Sequence, residues 1–106
     1  SVEVVAAVGN LGQISVRQER WEEAMETYRE VLKMCEDVYG RRHAETAKAI
    51  ECMAAVRVGQ GNLQEGIRDF KEAHQIFIDL SGGADDRHTS RVRATMASIL
   101  SRYGKK

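Results

Sequence analysis

Two short stretches decide the fold, VGNLG at residues 8–12 and AMETY at residues 24–28. Each places a small residue three or four positions from an apolar or aromatic one, and such residues share one face of a helix. Two antiparallel helices can approach closely only where side chains are short, which Gly12 and Ala24 would provide. Tyr28 would then fill the space toward a following helix. The two stretches therefore predict a closely packed helical hairpin.

Glycine-containing segments divide the chain into five stretches with helical periodicity. Proline is absent from the sequence and good helix formers are frequent. The stretches run from about 4 to 18, 21 to 39, 44 to 58, 63 to 80, and from behind the candidate caps Asp85 and Asp86 to about 103. In the first of them the periodic stripe is Val4, Val8, Leu11 and Ser15, with Val5, Gly12 and Val16 beside it. We therefore predict an all-α fold of about five helices.

The hairpin pattern recurs along the chain. At an offset of 42 residues, Gly12 aligns with Ala54 and Tyr28 aligns with Phe70. A third copy needs an offset of 45, which aligns His43 with His88. The alignment predicts a single domain over residues 1–106, with helix pairs at 4–40 and 44–80 and a closing helix at 88–103. Because the sequence opens on Ser1 and not on Met, we expect it to be a fragment of a longer protein.

These residues resemble the tetratricopeptide repeat, whose spacing of an apolar residue, a leucine, a small residue and an aromatic appears here twice. The motif reads Val8-x-x-Leu11-Gly12 with Ala24-x-x-x-Tyr28, and again Ile50-x-x-Met53-Ala54 with Gly66-x-x-x-Phe70. The period of 42 is similar to that of the long kinesin-light-chain kind of repeat, although Ala44 and Thr89 replace its usual proline. The resemblance implies a right-handed stack of antiparallel helix pairs, an α-solenoid that serves as an adaptor or scaffold and binds other proteins without catalysis or cofactor.

The same resemblance implies that the first helix of each pair lines a concave groove for a peptide or helix of a partner. The groove residues carried over by position are Asn10, Gln13, Arg17, Lys48, Glu51, Ala55, Val58, Arg93 and Met96. Arg17, Lys48 and Arg93 among them favour an acidic ligand.

The closing helix suggests two alternative functions. It has no following helix to cover its apolar residues, so it could self-associate and make the chain an oligomerisation module. The residues concerned are Val92, Met96, Ile99, Leu100 and Tyr103. The chain end is also basic, with Arg87, Arg91, Arg93, Arg102, Lys105 and Lys106 and no acidic residue after Asp86. RNA binding is the less favoured reading, because only Tyr103 offers a ring for base stacking.

Other function classes find no support. The formal net charge is zero and no apolar run approaches the roughly 20 residues of a membrane span. Cys35 and Cys52 lack the spacing of a zinc or redox motif, and we expect buried free thiols in an intracellular, cytoplasmic setting. The histidines do not pair with either cysteine in a nucleophile–base pattern. We predict no metal site, no catalytic residue and no enzyme activity.

Overall fold

The computed structural model describes residues 2–83 and 86–103, which form five α-helices and confirm the all-α prediction. The predicted Asp85 cap and the basic residues Lys105 and Lys106 lie outside the described residues. The helices are α1 (Val2–Arg17), α2 (Trp21–Tyr39), α3 (Ala44–Gly59), α4 (Leu63–Leu80) and α5 (Arg87–Tyr103). Each helix packs on the next one along the chain, which makes an all-helical solenoid.

The two tight turns, between α1 and α2 and between α3 and α4, have the same hydrogen bonds. The Arg20 amide donates to the Ser15 carbonyl at 2.9 Å, and the Asn62 amide donates to the Arg57 carbonyl at 2.8 Å. Bonds that reach back five residues satisfy carbonyls at a helix end when one residue adopts a left-handed conformation. That residue is Gly61 in one turn (φ +89°) and Glu19 in the other (φ +56°). The repeat therefore extends to the backbone of the turns.

The connection between α2 and α3 is fixed by side chains. His43 caps α3, because its Nδ1 accepts the Glu45 amide at 3.1 Å, and its ring stacks on Tyr39 with centroids 4.4 Å apart. The buried Thr46 hydroxyl donates to the Gly40 carbonyl at 2.7 Å. These contacts anchor the start of α3 to the end of α2.

The start of α5 corrects the predicted alignment of the third copy. Asp86 occupies the cap position, where its Oδ1 accepts the Thr89 amide at 2.9 Å. His88 lies inside α5 and stacks on Phe77, with centroids 4.8 Å apart. The buried Thr89 therefore corresponds to the buried Thr46, an offset of 43 residues and not 45. The cap residue Asp86 therefore determines the repeat register of α5, and the recurrence of histidine does not.

The core consists of two clusters that share α3. The first joins α1, α2 and α3, and the second joins α3, α4 and α5. Residues of α3 in the first cluster are Ala49, Met53 and Val56, and those in the second are Ala47, Ile50 and Ala54. Helix α3 is thus buried on two sides, which its many small apolar residues permit.

Small residues allow the second pair of helices to pack closely, as predicted. A Cβ built at Gly66 would lie 2.6 Å from Cγ2 of Val58 and 3.0 Å from the Ala54 carbonyl oxygen. Contacts under about 3.0 Å are closer than normal packing allows. The carbonyl belongs to the backbone of α3, which cannot move away without disturbing the helix. Glycine at residue 66 therefore sets the distance between α3 and α4.

The buried face of α1 differs from the predicted stripe. Val5 and Gly12 are buried, whereas Val4 is 49% exposed and Leu11 is 60% exposed. The reason is the position of α1 at the end of the stack. Met53, which corresponds to Leu11, is buried because it packs in the cluster that α2 shares with α3.

Candidate protein-binding site

Three adjoining clefts are lined mainly by residues of α1, α2, α3 and α5. They have volumes of about 340, 330 and 390 Å³. Gln13 and Cys52 line all three, so the clefts form one continuous depression that we call the groove. The residues that line it include Asn10, Gln13, Val16, Arg17, Tyr28, Lys48, Glu51, Cys52, Ala55, Arg91 and Thr95.

The groove brings together most of the residues carried over by family resemblance. Six of the predicted residues line it, namely Asn10, Gln13, Arg17, Lys48, Glu51 and Ala55. Val58 instead packs toward Gly66 and the second core cluster. Met96 is half-buried against that same cluster.

The repeat register explains why Arg93 does not line the groove. With an offset of 45 residues, Lys48 aligns with Arg93, whereas the offset of 43 aligns it with Arg91. Arg91 lines the groove, and Arg93 is exposed two positions on, where a helix presents a different side. The same shift pairs Cys52 with Thr95, which both line the groove. The caps Asp86 and His43 were the signal that could have identified Arg91 and Thr95.

Ion pairs hold two of the groove's cations. The Arg91 guanidinium donates to both carboxylate oxygens of Glu51, at 2.7 and 3.1 Å, and so ties α5 to α3. This contact raises the pKa of Arg91. Lys48 lies 3.3 Å from the carboxylate of Glu45 one turn earlier. Arg17 stands exposed at the end of α1.

The floor of the groove is apolar and uncharged. Between Arg17 and α3 it consists of Val16, Tyr28, Cys52 and Ala55 together with the stem of Gln13. Burial raises the pKa of the Tyr28 hydroxyl and of the Cys52 thiol, so both groups stay neutral at physiological pH. A ligand that reaches the floor therefore meets apolar surface beside the cation of Arg17.

The second cysteine, Cys35, has a structural position. Cys35 is buried at 1% exposure, its thiol donates weakly to the Glu45 carbonyl at 3.8 Å, and burial raises its pKa. Both cysteines are free. Within residues 2–83 and 86–103 no group of three or more histidine, cysteine or acidic side chains is arranged to hold a metal ion.

The closing helix exposes only part of its predicted self-association surface. Val92 is fully buried in the second core cluster, which removes it from that surface, and Met96 and Ile99 are half-buried there. Leu100 and Tyr103 are exposed at 49% and 48%. The second core cluster thus buries Val92 and leaves Leu100 and Tyr103 exposed, in keeping with the expectation that α4 could not bury all five residues.

The stacked helix pairs and their concave groove define an all-α helical-repeat protein. Residues 4–45 match the sequence model of the tetratricopeptide repeat. The match spans α1, α2 and the linker into α3, so this segment of the chain is similar to a tetratricopeptide repeat of the kinesin-light-chain type. No match was found among curated proteins.

Repeats of this family in general mediate protein–protein interaction and are typically non-catalytic. Of the helices in the described part of the chain, none is both long enough and apolar enough to cross a lipid bilayer.

Proposed function

We propose that the groove binds an extended or helical segment of another protein, so that the chain serves as an adaptor or scaffold. The observation that carries this proposal is the continuity of the groove across α1, α3 and α5, which come from successive repeat units. Concave surfaces lined by apolar groups and a few placed polar groups are the usual sites of ligand binding.

The groove chemistry favours a ligand with an apolar side chain next to an acidic one. The apolar side chain would pack over Val16, Cys52 and Ala55, and the carboxylate would lie beside Arg17. A ligand carboxylate near Arg91 would have to compete with Glu51, which already accepts two hydrogen bonds from that guanidinium. The acidic preference should therefore be strongest at the Arg17 end.

Preorganisation supplies the mechanism. The groove side chains project from helices that are packed on both core clusters, and the Arg91–Glu51 pair joins α5 directly to α3. Binding to a surface that is already ordered loses less conformational entropy than ordering it on contact. The ligand segment would bear most of the ordering cost.

The proposal is tested by selecting binders from a random peptide library and mapping the strongest one by amide chemical-shift changes in the labelled chain. Shifts should concentrate on Gln13, Cys52, Ala55 and Thr95, and the peptide should contain an acidic residue beside an apolar one. Failure to select any peptide, or shifts confined to the outer faces of α2 and α4, would contradict the proposal.

A further inference from the structure

The three odd-numbered helices carry one stripe at the same register. The stripe consists of Val4, Ala7, Leu11 and Ile14 in α1, of Thr46, Ala49, Met53 and Val56 in α3, and of Thr89, Val92, Met96 and Ile99 in α5. In α3 the stripe is buried, and in α5 it is buried or half-buried, because the preceding helix covers it. In α1 it faces solvent, with Val4, Leu11 and Ile14 exposed at 49%, 60% and 48%. A helix thus covers this stripe at two of its three occurrences, in α3 and in α5.

The spacing of the α1 stripe fits a helix laid alongside it. Its four residues follow one another at steps of three, four and three. Alternation of three and four is the pattern with which helices pair side by side over several turns. Ala7 in the middle of the stripe has a short side chain, so the two helix backbones can approach closely.

The polar row beside the stripe is complementary to itself. Glu3, Asn10 and Arg17 follow one another at steps of seven, are all exposed, and include both charged residues of α1. When two such helices pack antiparallel, this row on one faces the same row on the other. Glu3 then meets Arg17 of a second copy at both ends, and the two Asn10 amides meet at the centre. In a parallel pair the row would instead lie beside the uncharged Val8 and Ser15.

We propose that two copies of this chain associate by packing α1 antiparallel against α1 of the second copy. The interface has twofold symmetry, as is usual for homodimers. It does not include the floor residues Val16, Cys52 and Ala55, but it shares Asn10 and Arg17 with the rim of the groove. The inference does not depend on the function proposed for the groove.

The other end of the stack is unsuited to the same contact. Helix α5 contains four arginines, Arg87, Arg91, Arg93 and Arg102, and no acidic residue. A twofold contact between two α5 helices would bring like charges together across the interface, which opposes association. Charge thus favours α1 over the closing helix as the self-associating element.

The dimer should be weak. Helix α1 has 16 residues and is about 24 Å long at 1.5 Å per residue, so the seam is shorter than that of a standard stable interface. Association should therefore appear in a dilution series that extends from millimolar to micromolar chain, and equilibrium sedimentation is the suitable measurement.

The first arm of the experiment compares two exposed leucines at opposite ends of the stack. Leu11→Glu should leave a monomer at every concentration, whereas the matched Leu100→Glu variant should dimerise like the unmodified chain. Circular dichroism of both variants checks that they are folded. A monomeric unmodified chain at the highest concentration, or a dimer that survives Leu11→Glu and is lost with Leu100→Glu, would overturn the proposal.

The second arm tests the antiparallel arrangement by exchanging charges. Glu3→Lys and Arg17→Glu should each weaken self-association about tenfold, because each creates two like-charge contacts in the twofold dimer. A mixture of the two variants should form a heterodimer, and the double variant should regain the affinity of the unmodified chain. If the double variant stayed as weak as the single ones, the antiparallel pairing would be wrong.

Discussion

The ring of Tyr28 in α2 lies directly against the backbone of Gly12 in α1, so close that a Cβ at residue 12 would stand 2.8 Å from Cζ of Tyr28. Tyr28 is itself buried at 3% exposure, in contact with the core shared by α1, α2 and α3. A Cβ at residue 12 would force this buried ring to shift toward the groove that it lines. Glycine at residue 12 fixes how closely the first pair of helices packs.

Two glycines three residues apart in α1 should respond oppositely to alanine. Gly12→Ala should lower the free energy of unfolding by about 1–3 kcal/mol, because overpacking at Tyr28 exceeds the gain in helix propensity. At Gly9 a Cβ would meet no atom within 4 Å. Gly9→Ala should therefore raise the free energy of unfolding by about 0.5–1 kcal/mol. Denaturant titration measures both, and a stabilised Gly12→Ala variant would refute the close packing of α1 on α2.

The ion pair between Arg57 in α3 and Asp69 in α4 is shielded, with side-chain exposures of 25% and 15%. Asp69→Ala should cost about 1–3 kcal/mol of stability, because it leaves the guanidinium partly desolvated without its partner. The matched control is Glu23→Ala, which removes a pair with Arg20 whose side chains are about 60% exposed. That loss should be under about 1 kcal/mol. Equal losses in the two variants would show that the Arg57–Asp69 pair is not shielded in solution.

The two thiols should react slowly and at different rates. Burial raises the pKa of both cysteines, so less of each is present as the reactive thiolate at pH 8 than in the unfolded chain. Both cysteines line the groove, but Cys52 is half-buried and Cys35 is only 1% exposed, so Cys52 should react several-fold faster. A chromogenic disulfide reagent should show two phases, of which Cys52→Ser removes the faster. A single phase at the rate of the unfolded chain would contradict this assignment.

Stability should fall in acid partly through the cap of α5. The Thr89 amide donates to the carboxylate of Asp86 and holds its pKa below the ordinary value of 3.8. A carboxyl whose pKa is lower in the folded state stabilises the fold above the unfolded pKa, and this contribution is lost as the pH falls through the folded pKa. Between pH 5 and pH 2, the melting temperature should therefore fall less in Asp86→Asn, which keeps a capping side chain, than in the unmodified chain. In the control variant Asp37→Asn, at an exposed site in α2, the melting temperature should fall as much as in the unmodified chain. An equal fall in Asp86→Asn, Asp37→Asn and the unmodified chain would exclude a role for Asp86.

Local signals were sufficient to predict the helices. Periodicity and glycines placed the five helices within a few residues of their observed bounds, because turns and caps depend on neighbouring residues. The exposed face of α1 could not be derived in this way. Leu11 and Met53 have similar side chains at matching positions, and only the presence of α2 over α3 makes one exposed and the other buried.

The groove was predictable where the repeat register was certain. Gln13 and Lys48 lie where the offset of 42 and the family resemblance place them. Arg91 was missed because the loop before α5 changes the register, and the correct offset depends on Asp86 serving as the cap. The recurrence of histidine at residues 43 and 88 was a misleading guide, since His88 stacks on Phe77 inside α5.

The most direct test of protein binding by the groove is the affinity of a selected peptide for two matched variants, measured by fluorescence anisotropy. Ala55→Glu places a carboxylate on the apolar floor, and Lys33→Glu makes a charge change at an exposed site of α2, outside the groove. Ala55→Glu should weaken binding at least about tenfold, about 1.4 kcal/mol, while Lys33→Glu should leave the affinity unchanged. Unchanged affinity in a folded Ala55→Glu variant would show that the peptide binds elsewhere and would contradict binding in the groove.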